Sequence, residues 1–336
     1  MTRQTNWCTG RCYPWPDDGS SVAAMTVAPA IAASGLGRDY GSIRAVDAID
    51  LEVRPGEFFG FLGPNGAGKT TTIRMLTTLL RPSRGSAQIA GKDTLSDPLG
   101  VRRSIGVVFQ ETTLDVDLTA QENLRYCTRL YGLSRRESEL RIDEVLRLFS
   151  LSERRNERVR SFSGGMRRAL DLARGVLHRP SILFLDEPTL GLDPTQRRRI
   201  WGFLRRLCSE DGTTLFLTTH YLEEADPCDR VAIVDRGRIV IAGEPTVLKR
   251  ALGKESIELS SEHPEAVAEQ VIRLTGIIPR IRDSVVSFIV EDAAAVMPLM
   301  LPLTEQDVEV RLTRPTLEDV FVSVTTDREG SNGLGG

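Results

Sequence analysis

Cysteine, histidine, lysine and long apolar runs are all scarce in this chain. Its 336 residues include three histidines and five cysteines, Cys8, Cys12, Cys127, Cys208 and Cys228. An odd, scattered set of cysteines in a chain this long makes no disulfide framework and suits a reducing compartment. Cys8 and Cys12 have no second pair to complete a zinc site. The best apolar run, VAAMTVAPAIAA at 22–33, is interrupted by Pro29 and follows Asp17 and Asp18. It falls short of the roughly 18 apolar residues that a membrane-spanning helix needs, and a secretory leader would carry positive charge where those aspartates stand. The chain is therefore read as having no membrane span of its own. An excess of one charge sign is also missing: 43 Lys+Arg against 46 Asp+Glu leaves a net charge of −3. That balance gives no global reason to expect a nucleic-acid partner.

What remains is an ordinary globular composition, 40% hydrophobic and 26% charged, in a chain whose length favours two domains. Residues 1–32 carry little pattern and read as a disordered lead, with Met25 an alternative translation start. From 33 to 243 the pattern is α/β. EFFGFLG at 57–63 is a strand entering a glycine turn, and a helix leaves that turn at Lys69. Thr119 and Glu122 make a capping-box signal for a helix start, and ESELRIDEVLRLF at 137–149 has helical spacing. Three short buried-type strands follow at 181–186, 213–219 and 230–235, each after a helical segment, as a parallel sheet requires. Beyond 245 short strands and helices alternate in a way that suggests a small α+β domain over 250–325. Residues 326–336 read as a disordered tail. No internal repeat is evident.

Only four of the 43 basic residues are lysine, and the first of them is Lys69. It closes Gly63-Pro64-Asn65-Gly66-Ala67-Gly68-Lys69-Thr70, which fits GxxxxGK[ST] between a strand and a helix. Glycines let successive backbone N–H groups line a phosphate with no Cβ in the way. The helix that follows, with Thr71 in its first turn, directs free N–H groups at the same charge. Lysine is a compact point charge that can reach the β- and γ-phosphates, where arginine is a planar fork. The Thr70 hydroxyl can ligate Mg²⁺. A glycine turn without a ligand would need neither the lysine nor the hydroxyl at fixed spacing. The second half of the site is ILFLDE at 182–187. A strand ending in an acid is common, so alone this says little. Beside a phosphate loop, Asp186 can hold Mg²⁺ and Glu187 can polarise an attacking water.

SFSGGMRRALDLARGVLHRPSILFLDEPTLGLDP at 161–194 resembles the nucleotide-binding subunits of ATP-binding cassette proteins. Ser163, Gly164 and Gly165 look like their signature motif, with Met166 where many members carry Gln. Asp193 looks like the D-loop acid, His220 like the switch histidine, Gln110 like the Q-loop glutamine, and Tyr40 like the aromatic that stacks on adenine. The resemblance is strong over 34–243. Two further stretches, 110–133 and RPTLEDVF at 314–321, resemble the ATPase subunits of the drug-resistance and antibiotic-export branch. It implies an α/β fold: a P-loop NTPase cassette with a parallel-sheet core and a helical subdomain, plus a small α+β C-terminal domain. It also implies ATP and Mg²⁺ as cofactors, with Thr70, Gln110 and Asp186 at the metal. A homodimer would sandwich ATP, with Ser163 and Gly165 of one subunit against the γ-phosphate held at Lys69 of the other. Glu187 would act on the water, His220 would contact the γ-phosphate, and Gln110 would report nucleotide state. A separate integral membrane permease would dock around 110–133, and drugs or antibiotics would be its cargo. An importer ATPase, a soluble cassette protein acting on ribosomes or DNA, and a cassette that binds ATP but barely hydrolyses it are the alternatives.

Overall fold

The computed structural model describes residues 28–252, 255–290, 293–304, 308–313 and 315–332. Cys8, Cys12, Met25 and most of the expected disordered lead lie outside them. The lead ends earlier than residue 32, however. Ile31 opens β1 (Ile31–Tyr40), is fully buried, and pairs with Val53 on one side and Ile89 on the other. Pro29 hides this start in the sequence, because it interrupts the apolar run just before the strand begins.

β1 turns at Gly41, whose φ is 59°, into the antiparallel β2 (Ile43–Val53). The chain then crosses to a second sheet as β3 (Phe58–Leu62), which leads through the glycine turn into α1 (Lys69–Leu76). It returns to the first sheet as β4 (Arg84–Ile89) and β5 (Lys92–Asp93), giving the order β2-β1-β4-β5. α2 (Pro98–Ser104) leads to β6 (Ile105–Val108) at the edge of the second sheet.

Three helices follow: α3 (Ala120–Leu130), α4 (Arg135–Leu148) and α5 (Gly164–Val176), packed on one another as a helical subdomain. α3 and α4 each begin in a complete capping box, Thr119 with Glu122 and Ser134 with Glu137. β7 (Ile182–Asp186), α6 (Pro194–Ser209), β8 (Thr214–Thr219), β9 (Arg230–Asp235) and β10 (Arg238–Gly243) complete the second sheet. Its order is β10-β9-β3-β8-β7-β6, parallel throughout except for β10.

Alternation along these strands makes two cores. Phe59, Phe61, Phe184 and Phe216 face the first sheet and α1, and the Phe216 ring centroid lies 5.4 to 5.7 Å from those of the other three. Phe58, Leu62, Leu183, Leu185, Leu215 and Leu217 face the helices of the other layer. A parallel strand buried on both faces reads as an unbroken apolar run. It delivers whatever polar residue ends it to the carboxyl edge of the sheet, where α/β proteins place their ligands.

After α7 (Pro245–Ala251) comes a separate unit with its own core around Ile257, Val271, Val286, Phe288 and Met300. It comprises β11 (Glu255–Ser260), α8 (Pro264–Thr275), β12 (Arg280–Arg282), β13 (Val285–Val290), α9 (Ala293–Thr304) and β14 (Glu309–Thr313). Its antiparallel sheet runs β12-β13-β11-β14. The last helix, α10 (Leu317–Asn332), departs from the expected domain limits at both ends. Leu317 and Val320 are buried in the helix-side core of the first domain, beside Ala225, Cys228 and Leu248. The helix also continues to Asn332 through residues expected to be unstructured from 326. Its apolar first turns give it a surface to dock on, which composition alone does not reveal. No described helix is long and apolar enough to cross a membrane.

Candidate active site

The glycine turn after β3 is shaped by close backbone approach. Gly68 has φ 101°, and a Cβ there would stand 2.6 Å from the Ala45 carbonyl oxygen. Gly66, at φ 82°, has nothing within 4 Å of where its Cβ would be, so its backbone is open to an incoming group. α1 therefore starts from a left-handed Gly68 with no side-chain cap and no acid in its first turn. Its leading N–H groups carry the positive end of the helix dipole, unlike those of α3 and α4, which their own side chains cap. They open on a cavity of about 490 Å³. Asn65, Gly66, Gly68, Lys69, Thr70, Thr71, Gln110, Glu187 and His220 all line it. Gly63, Pro64 and Ala67 build the loop instead: the Ala67 N–H donates to the Pro64 carbonyl at 3.2 Å, and Ala67 is buried.

Lys69 is buried, and its Nζ donates to the Gly63 and Pro64 carbonyls at 2.8 and 3.0 Å. Glu187 Oε1 lies 3.9 Å away. Burial holds the ammonium below the usual lysine range, against the pull of Glu187 and Asp186. An anion entering beside it would favour the charged form further.

The two carboxylates are placed by strand register. β7 and β8 pair Asp186 with Thr218, and the Thr218 hydroxyl donates to Asp186 Oδ1 at 2.6 Å. Thr70 Oγ1 donates to the same oxygen at 3.3 Å. A hydroxyl and a carboxylate oxygen side by side at a phosphate loop suit a hard cation that keeps several waters. Among the described residues no group of three or more His, Cys, Asp and Glu could hold a metal by itself. Thr70 and Asp186 thus fit an ion held jointly with a phosphate. Gln110, exposed at the end of the segment after β6, lines the same cavity.

Glu187 adopts φ 48°, a left-handed conformation that costs a residue with a Cβ about 1–3 kcal/mol. Its N–H donates to the Thr218 carbonyl at 3.1 Å, and its Oε1 lies 3.0 Å from His220 Nδ1. The turn aims the carboxylate into the cavity between Lys69 and His220.

Five further sequence candidates belong neither to the cavity lining nor to the loop and strand end that frame it. Tyr40 is 44% exposed at the end of β1, with the Arg38 guanidinium 4.8 Å over its ring. Ser163 caps α5, its Oγ accepting from the Met166 N–H at 3.3 Å. Gly164 is exposed with open space at its Cβ position, whereas a Cβ on Gly165 would collide with the Gln196 side chain. Asp193 caps α6, accepting from the Thr195 and Gln196 N–H groups at 2.9 Å each. Two residues that sequence reasoning missed hold the strand end. Thr218 reaches both Asp186 and the Glu187 backbone, and its place two residues before His220 is a usable signal. Arg168 binds the main chain behind Glu187, but its sequence carries no mark to separate it from the other arginines.

Residues 46–190 match the family model described as ABC transporter. The daunorubicin/doxorubicin resistance ATP-binding protein DrrA of Streptomyces peucetius is 42% identical over 305 residues, 88% of this chain and 92% of the relative. The Nod factor export ATP-binding protein I of Cupriavidus metallidurans is 39% identical over 291 residues, 85% and 94% of the two chains. Among solved structures, the dimeric ATP-binding cassette MJ0796 in a post-hydrolysis state bound to ADP and Pi superposes with a TM-score of 0.59 at 27% identity. That match covers 64% of this chain and 98% of the cassette. An ATP-binding subunit of an ABC transporter gives 0.61 at 31% identity, covering 66% and 93%. The P-loop NTPase fold and the resemblance read from 161–194 are both met, and the chain belongs to the ATP-binding cassette transporter family as one of its ATP-hydrolysing proteins.

Proposed function

We propose that this chain is the ATPase subunit of an exporter, working as a head-to-tail dimer on the cytoplasmic face of a membrane and driving a separate integral membrane permease. Resistance compounds or similar hydrophobic molecules are its cargo. The observation that carries the hydrolytic half is the group formed by Lys69, Glu187 and His220 around the uncapped start of α1. The export half is supported by relatives named for drug resistance and for Nod factor export, which align over the C-terminal unit as well as the cassette.

Gly66 and the first turn of α1 bind the phosphate chain through backbone N–H groups, and Lys69 turns from its loop carbonyls toward the β- and γ-phosphates. Thr70, Asp186 and Gln110 would hold Mg²⁺, which would supply charge neutralisation to the bound nucleotide. Tyr40 offers its ring to the adenine. Glu187 orients a water and draws its proton as the water oxygen bonds to the γ-phosphorus and the bond to the β-phosphate oxygen breaks, leaving ADP. His220, 3.0 Å from that carboxylate, fixes its direction and contacts the γ-phosphate. Ser163 and Gly164, exposed at the start of α5, and the half-buried Gly165 beside them close on the nucleotide of the partner subunit, with Asp193 at the same interface. Loss of phosphate releases that contact, a population shift driven by the ligand.

Affinity capture of the Glu187→Gln chain from detergent-solubilised native membranes with ATP tests the export reading. Recovery of one polytopic membrane protein is the expected outcome. Recovery of ribosomal or DNA-bound proteins would leave the ATPase standing and overturn the exporter.

A further inference from the structure

Arg168 sits on the second turn of α5, five residues after Ser163, and is 7% exposed. Its guanidinium is spent on main-chain carbonyls. Nε donates to Pro188 at 2.7 Å, Nη1 to Phe109 at 2.5 Å, and Nη2 to Asp186 at 3.2 Å and Glu187 at 3.0 Å. Burial lowers its pKa, with Asp171 and Asp186 opposing that shift. Burying a cation against neutral carbonyls is costly, so the arrangement calls for an explanation beyond packing.

The four carbonyls belong to two segments that meet at the cavity. Asp186, Glu187 and Pro188 form the left-handed turn that aims the hydrolytic carboxylate, and Phe109 immediately precedes Gln110. A left-handed residue with a Cβ persists only where its surroundings over-determine it. At Glu187 they do so from both sides: Thr218 accepts from its N–H, and Arg168 donates to its carbonyl. Only a planar fork with donors on three edges reaches Phe109, Pro188 and the 186–187 pair together; a lysine ammonium is a single point.

We propose that Arg168 is a positioning residue that ties the Glu187 turn and the backbone before Gln110 to α5, the helix that begins at Ser163-Gly164-Gly165. A displacement of the start of α5 then shifts the carboxylate in the same subunit. The sequence of events inside the dimer follows: closure of α5 over the partner's nucleotide is felt at this chain's own Glu187, so the two sites hydrolyse in a coupled manner. The inference rests on the reading of Glu187 as the group that orients water.

The test compares the purified full chain with Arg168→Lys, Arg141→Gln and Glu187→Gln, measuring ATP hydrolysis, binding of a fluorescent ATP analogue, and Tm. Arg141 supports the other end of α5, donating to the Val176 and Leu177 carbonyls, and touches nothing in the cavity. Arg168→Lys is expected to lower kcat about 10- to 100-fold, the scale of a small misplacement of a reacting group. KM and analogue affinity should stay within about threefold, since groups that bind phosphate are untouched. Arg141→Gln should lower Tm without lowering kcat. A folded Arg168→Lys chain with unchanged kcat overturns the proposal, as does an Arg141→Gln chain that loses kcat equally at a comparable Tm. If Arg168→Lys does not fold, Arg168→Gln carries the same expectation and the same overturning result, because it removes the buried charge. Unchanged hydrolysis in Glu187→Gln would instead sink the assignment of Glu187 itself, whatever the Arg168 variants do.

Discussion

α1 and α5 both begin in glycine-rich turns, and they end up differently. α1 starts from Gly68 with no side-chain cap, in the wall of a cavity that a buried lysine also lines. α5 starts from Ser163, which caps its own helix, and its leading glycines line no part of that cavity. The first is a finished anion site within one chain. The second is an exposed helix start that encloses nothing within the chain, and on the proposed reading it closes on the partner's nucleotide; glycine richness alone could not separate the two. The lysine and the left-handed Gly68 make the difference on one side, and the exposure of Gly164 makes it on the other.

The comparison breaks most severely at Lys69. Lys69→Ala removes the buried ammonium and its charge-assisted contacts, each worth about 1.5–3 kcal/mol. Affinity for ATP is expected to fall by about 30- to 150-fold, the equivalent of about 2–3 kcal/mol. Equilibrium binding of a fluorescent ATP analogue measures it, and unchanged affinity would contradict the assignment of the loop. Gly164→Ala is the matching change at α5. Its Cβ meets open space within the chain, so folding and ATP affinity of the monomer should hold. Hydrolysis should nevertheless drop about tenfold, because a methyl group intrudes where the partner's nucleotide closes. Size-exclusion chromatography with ATP on a Glu187→Gln background should show less dimer for the Gly164→Ala chain. Equal dimer in both would mean that α5 does not close on nucleotide.

A subtler change separates the two carboxylates. Thr218→Val keeps the shape of a fully buried residue and removes the hydroxyl that donates to Asp186 at 2.6 Å and accepts from the Glu187 N–H. Stability should fall by about 1.5–3 kcal/mol, the cost of a hydrogen bond to a charged group. Chemical denaturation reads this directly. A chain as stable as the original would show that Thr70 alone suffices to hold Asp186.

Much of the site was legible because its chemistry is written in residue types with few other uses. A lysine among so many arginines, adjacent acids after four apolar residues, and one of three histidines each stood out from background. The capping boxes at Thr119 and Ser134 come from equally specific pairs, and the first was readable as a helix start. What stayed hidden depends on backbone. The left-handed turn at Glu187 has no glycine to announce it. Arg168 is one arginine in a run of them, and only the carbonyls converging on it mark its role. Asp193 read as the D-loop acid, and its second task, capping α6, was not visible in the sequence. Pro29 concealed the start of β1, and the docking of Leu317 and Val320 on the first domain follows from a surface assembled by residues far away in sequence.

The smallest expected effect sharpens the opening contrast from the side of ordinary helices. α3 and α4 solve the problem of unpaired N–H groups with their own side chains: the Thr119 hydroxyl accepts from the Glu122 N–H at 3.2 Å, and Glu122 returns a bond to the Thr119 N–H at 2.8 Å. Thr119→Ala should cost about 1 kcal/mol of stability, as loss of an N-cap does elsewhere. It should leave ATP affinity unchanged, since nothing in that box touches the cavity. A fall in affinity of the same size as the fall in stability would mean that the helical subdomain and the phosphate loop share one equilibrium. If affinity holds while stability drops, the uncapped start of α1 is a local device, left open by Gly68 for a ligand and not by any general weakness of capping in this fold.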